Sequence, residues 1–130
     1  MDVPKVLAAG LSVSRIAFGT GYLLRPEQAR TSWLGRVAKK PAAQVIVRAQ
    51  GARDVALGAG AMRALVRGDA RELRVWVAGE AASDLVDLLA TAGARDHLPK
   101  RRARFAMAVA GASALAGGAA AAMLRPPADG

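Results

Sequence analysis

The chain has 130 residues, with 19 Lys and Arg against 10 Asp and Glu, one histidine and no cysteine. Its length suits one domain. The lack of cysteine excludes disulfides, thiol catalysis and thiolate metal sites, and a lone histidine, His97, excludes a multi-histidine metal centre. A metal held by carboxylates alone stays open. In a soluble chain a net charge of +9 and a pI of about 11.4 would suggest nucleic acid. Here hydrophobic residues make up 53%, mean hydropathy is positive, and two Trp, one Tyr and two Phe are too few to interleave as stacking platforms. No nucleic-acid partner is expected. The excess of positive charge reads instead as loops facing anionic lipid.

The first apolar segment runs from about Val3 to Leu24 and is broken by Arg15. Asp2 and a single Lys5 make a poor basic leader to a signal peptide, so this segment is expected to be retained. Pro26 closes it. The connector PEQARTSWLGRVAKK places Trp33, Leu34 and Val37 near one face among basic residues, which predicts a short amphipathic helix on the inner leaflet, a plain polar connector being the alternative.

Pro41 suits the start of a second helix, from about Ala42 to Val66, which contains Arg48, Arg53, Asp54 and Arg63. Gly68-Asp69 marks a turn. A third helix, from about Glu72 to Ala92, carries Glu80, Asp84 and Asp87 at spacings of four and three, with Trp76 before and Thr91 after on the same face. Gly93 and Pro99 bracket the next connection. The fourth segment, Phe105 to Leu124, has twenty residues without a charge, enough to span a hydrocarbon core of ~30 Å at ~1.5 Å per residue. Arg125 and Pro126-Pro127 are expected to end it.

Residues 1–130 therefore read as a single integral membrane domain. The fold class is all-α, a transmembrane four-helix bundle with helices about 3–24, 42–66, 72–92 and 105–124. Its expected partner is the lipid bilayer of the cell membrane. The first and third loops hold Arg25, Arg30, Arg36, Lys39, Lys40, Arg95, Lys100, Arg101, Arg102 and Arg104. The termini and second loop hold only Lys5, Arg67, Arg71, Arg74 and Arg125. This asymmetry places both termini on the non-cytoplasmic side.

Charges inside such helices cost at least ~2.5 kcal/mol each at mid-membrane and need partners. Counted at 1.5 Å per residue from the cytoplasmic ends, Arg48, Arg15 and Arg53 lie ~9, ~13 and ~16 Å deep, and Asp87, Asp84 and Glu80 lie ~8, ~12 and ~18 Å deep. Depth matching pairs Arg48 with Asp87, Arg15 with Asp84 and Arg53 with Glu80. It leaves Asp54 unmatched and puts Arg63 at the outer surface. Gln50, Ser14 and Ser83 are expected to satisfy leftover groups. The cluster either fixes helix order or lines a hydrated cavity for an anion, a proton or a polar molecule.

Two stripes of small residues, Gly10, Ser14, Ala17 and Gly21 in the first helix and Gly111, Ala114, Gly118 and Ala121 in the fourth, suit close helix approach. The fourth helix packs either within the bundle or against a second copy, as in a homo-oligomer. Arg15-Ile-Ala-Phe-Gly-Thr-Gly recurs loosely, with one residue of offset, as Arg53-Asp-Val-Ala-Leu-Gly-Ala-Gly, which suggests similar packing in helices one and two. No serine has a histidine at motif spacing, and no Gly-rich loop ends in Lys-Ser/Thr. No enzyme activity and no cofactor are expected, and His97 reads as an exposed loop residue.

The segments AFGTGYLLRP after Arg15, GARDVALGAGAMRAL, RVWVAGEAASDLVDLLAT and the uncharged fourth helix resemble small bacterial four-helix integral membrane proteins of unknown function, grouped loosely with DoxX-like proteins. The resemblance implies a four-helix membrane fold and no assigned activity. Some DoxX-like relatives are linked to quinone or thiol redox chemistry, and the missing cysteines put a thiol role out of reach. Function is therefore expected to be structural or accessory, the alternative being a small proton-linked transporter or channel-like protein using the acidic face of helix three.

Overall fold

The computed structural model describes residues 1–124, apart from the side chain of Arg30. The stop assigned to Arg125 and Pro126-Pro127 lies outside the described residues. Four long helices, α1 (Val3–Leu24), α2 (Pro41–Arg67), α3 (Ala70–Ala94) and α4 (Lys100–Met123), account for most of the chain, and no strand occurs among the described residues.

Local chemistry sets the helix limits. The Asp2 carboxylate accepts from the Lys5 backbone N–H and caps α1. Pro41 occupies the first turn of α2, where its missing N–H costs nothing. Gly68 closes α2 in the left-handed region at φ 70°, and Asp69 immediately caps α3 by accepting from the Glu72 N–H. The α2–α3 turn is therefore two residues long. A 3-10 turn over Arg95–His97 leads into α4, and His97 is exposed.

Successive helices pack side by side, and α4 returns against α1. The buried apolar residues form two small clusters. Ala8, Ala61, Ala64, Leu73, Val77, Ala120, Ala121 and Leu124 fill the end that holds the α2–α3 turn. Ala29, Ala38 and Val47 fill the other. Between them lies a layer of charge. Most of the large apolar side chains point outward: Phe18 is 71% exposed, Leu89 62% and Leu115 78%. This reverses the polarity of a water-soluble domain, whose Leu, Ile and Phe lie inside.

α1 and α4 are long and apolar enough to cross a membrane, and only 17% of the most apolar stretch of each is buried, unlike the core helix of a soluble protein. α2 and α3 do not pass on composition, because they carry the charges of the central layer.

The α1–α2 contact rests on glycine, though not on the expected stripe. A Cβ on Gly19 would lie 2.7 Å from the Gly51 carbonyl oxygen, one on Gly51 2.6 Å from that of Gly19, and one on Gly58 2.7 Å from that of Ser12. Gly10 meets nothing within 4 Å, and Ser14 and Ala17 are exposed. The face that packs is Ala8, Ser12, Arg15 and Gly19, turned away from the stripe because Arg15 takes the inner position. In α4 the packing residues are Ala103, Gly117, Ala120 and Ala121. Gly118 faces open space, and Ala121, 7% exposed, is the buried member of the expected stripe.

The first connector also differs from expectation. It forms a 3-10 turn (Pro26–Gln28), a π turn (Arg30–Leu34) and a second 3-10 stretch (Gly35–Lys39) rather than one amphipathic helix. Gly35, at φ 61°, breaks the helix and packs against Pro99 of the third connection. Pro26, Ala29 and Ala38 are buried, and the segment folds against the helix ends as a plug.

Candidate functional site

The central layer is organised around Arg15. Its Nη1 donates to Asp54 Oδ1 of α2 at 2.9 Å, and its Nη2 donates to Asp84 Oδ2 of α3 at 2.5 Å. Nη2 also reaches the Glu80 backbone carbonyl at 3.4 Å, and Nε stands 3.9 Å from Glu80 Oε1. One guanidinium therefore ties three helices together, with its side chain only 9% exposed. The fork geometry of arginine permits this, whereas a lysine ammonium offers a single point charge.

Arg53 is the second organiser. Its Nη1 and Nη2 grip both oxygens of Asp87 at 3.0 and 2.8 Å, and its Nε and Nη2 donate to Asp54 Oδ1 at 3.3 and 3.1 Å. Asp54 is thus shared by both arginines and is not the unmatched carboxylate. Glu80, 1% exposed, accepts from the Ser12 hydroxyl through Oε1 at 2.9 Å, and its Oε2 has no hydrogen-bond partner.

Of the seven residues singled out from the sequence, six converge: Arg15, Arg53, Asp54, Glu80, Asp84 and Asp87. Arg48 stands apart, exposed, donating through Nε to the Leu23 carbonyl at 3.3 Å. Of the three depth-matched pairs, Arg15–Asp84 forms. Arg48–Asp87 and Arg53–Glu80 are replaced by Arg53–Asp87 and by the Ser12–Glu80 hydrogen bond. Depth alone ignores which face of the helix a residue occupies. Arg48 precedes Arg53 by five residues, well over a full turn, and so points elsewhere.

The expected satisfiers differ as well. Ser14 Oγ donates to the Gly10 carbonyl within its own helix, and Ser83 Oγ is buried without a partner. Ser12 takes their part, and its position was readable one turn before Arg15 on the face shared with Ala8 and Gly19. Arg63 lies near the end of α2, is more than half exposed, and pairs with Glu72 at 2.5 Å. The Trp76 indole donates to the same carboxylate at 3.3 Å.

Beside the charges lies a cavity of about 270 Å³ between α1 and α4. Asp54, Asp84 and Asp87 line its inner wall together with Arg15. Phe18, Tyr22, Trp33 and Phe105 line other parts of it, among small, polar and aliphatic side chains. Tyr22 and Ser32 share a hydrogen bond at 2.8 Å where the connector closes one end. Of these aromatics the sequence had singled out only Trp33, and had placed it on an amphipathic helix at the inner leaflet instead. Among the described residues no group of three or more acidic or histidine side chains is arranged to hold a metal ion.

Comparison with protein families, with curated proteins and with solved structures gives no match.

Proposed function

We propose that the protein is a multi-pass membrane protein, a transmembrane four-helix bundle of the cell membrane, whose buried Arg/Asp/Glu layer locks the helices into one arrangement. The observation that carries this reading is the inverted polarity. Large apolar side chains cover the outside, while small residues and charges fill the inside. An apolar surface of this extent in water would drive association. In hydrocarbon it is the stable arrangement, and the charges of α2 and α3 are tolerable because they face one another. The role is structural or accessory, with no reaction assigned. Alkaline carbonate extraction of expressing cells tests it: the protein should stay in the membrane pellet, and release into the supernatant would overturn the reading.

A second reading, a small proton-linked transporter, is favoured by one observation. Four carboxylates face two guanidinium groups, so the layer carries two negative charges in excess when all are ionised, and three of the carboxylates border the cavity. Protons or a cation would balance that excess. Proteoliposomes under an imposed pH gradient should then show proton movement that Asp84→Asn removes. Tight liposomes with no movement would leave the structural reading alone.

A further inference from the structure

The cavity gathers four of the chain's five aromatic residues against three of its carboxylates. Aromatic faces and carboxylates favour the same kind of guest, a cation whose charge is spread over carbon. The volume, about 270 Å³, falls just below the ~300 Å³ at which ordinary small-molecule pockets begin, so the guest is small. Its way in is lateral. Phe18, Phe105 and Val109, which line the cavity from α1 and α4, are also 71%, 63% and 49% exposed, so the opening faces the apolar exterior.

One further observation points to a ligand. The Trp33 indole N–H, buried on a lining residue, has no hydrogen-bond partner. Buried donors of this kind are rare in a finished structure and call for an acceptor. The carboxylates offer no metal-ligand set. Asp84 lies fourteen residues from the start of α3 and ten from its end, ~21 and ~15 Å deep, beyond the reach of a lipid headgroup.

We propose that this cavity binds a small amphipathic organic cation carrying an acceptor oxygen, which enters from the lipid side between α1 and α4. The ammonium group sits against Asp84 and Asp87, the apolar body lies between Phe18 and Phe105, and the oxygen takes the spare N–H of Trp33. The lateral entry rests on the membrane reading, whereas the binding chemistry does not.

The test uses the full chain purified in a maltoside detergent and titrated calorimetrically with choline phenyl ether. Saturable one-to-one binding is expected. The uncharged isostere 3,3-dimethylbutyl phenyl ether should not displace it. Asp87→Asn and Asp84→Asn should each raise Kd by roughly tenfold or more. Phe105→Leu, whose ring is too exposed to be needed for folding, should raise it by about three- to tenfold. Absence of saturable binding, equal binding of the neutral isostere, or a Kd unchanged in all three variants would each overturn the proposal. A carbonate-released protein that still binds the cation would sink the membrane reading and keep the site, and a membrane-retained protein that does not bind would do the reverse.

Discussion

Arg15 and Asp54 hold each other at 2.9 Å across the α1–α2 contact, and they occupy the same place in two copies of one short pattern. Arg15-Ile-Ala-Phe-Gly-Thr-Gly in α1 aligns with Asp54-Val-Ala-Leu-Gly-Ala-Gly in α2. The helices run antiparallel, so a local two-fold relates the copies: Gly19 approaches Gly51, and Gly58 approaches Ser12. The offset noted in the sequence vanishes once Asp54, rather than Arg53, is set opposite Arg15. Opposite charges at equivalent positions let the two copies pair.

Close approach at these glycines should be costly to disturb. Gly51→Ala or Gly19→Ala places a methyl group within 2.6 or 2.7 Å of a backbone oxygen that cannot swing away, and should destabilise by ~1–3 kcal/mol. Gly118→Ala and Gly10→Ala meet nothing within 4 Å and should be neutral or gain up to ~1 kcal/mol from better helix propensity. Thermal unfolding of the four variants in one detergent separates them. Equal effects would mean that α1 and α2 do not meet at Gly19 and Gly51.

Arg15 should matter more than any single carboxylate. Arg15→Ala leaves Asp84 buried without its guanidinium and should cost ~3–5 kcal/mol. Asp84→Ala should cost less, because Arg15 keeps Asp54 and faces Glu80. Removing Arg15 and Asp84 together should cost less than removing Arg15 alone, since Asp84 is then no longer left without its guanidinium. A double-mutant cycle on unfolding free energies checks this, and strict additivity would contradict the pairing.

The helix limits were legible because proline, glycine and cap residues stand at them. Val3–Leu24 matches its expected limits, and α2 and α3 extend only one or two residues beyond theirs. α4 starts earlier than expected, at Lys100, because a helix continues through basic residues that hydropathy excludes. The acidic face of α3 was readable from its spacing. The partners were not, since matching depths assigns one arginine to one carboxylate, while Arg15 and Arg53 each serve at least two. The connector was misread because its fold depends on Gly35 meeting Pro99, a contact between distant segments that no local pattern encodes.

Ser12 donates to Glu80, the most buried carboxylate of the layer. Ser12→Ala should therefore cost ~1–3 kcal/mol, the penalty for stripping a partner from a buried acceptor. Combining it with Glu80→Met, which removes the polar group as well, should recover much of that loss. Unfolding midpoints of the two single variants and the double variant decide the matter. No loss in Ser12→Ala would place Glu80 in contact with water.

The measurement that bears most directly on the proposed membrane-spanning arrangement is cysteine accessibility from the two sides of the membrane, made simple by a chain with no cysteine of its own. Asp2→Cys and Leu98→Cys mark opposite ends of the helices. On intact cells an impermeant maleimide should label position 2 and leave position 98 unlabelled until the membrane is opened, as the Lys/Arg asymmetry requires. Labelling of both positions to the same extent on intact cells, or protection of both, would contradict a chain that crosses the membrane between them.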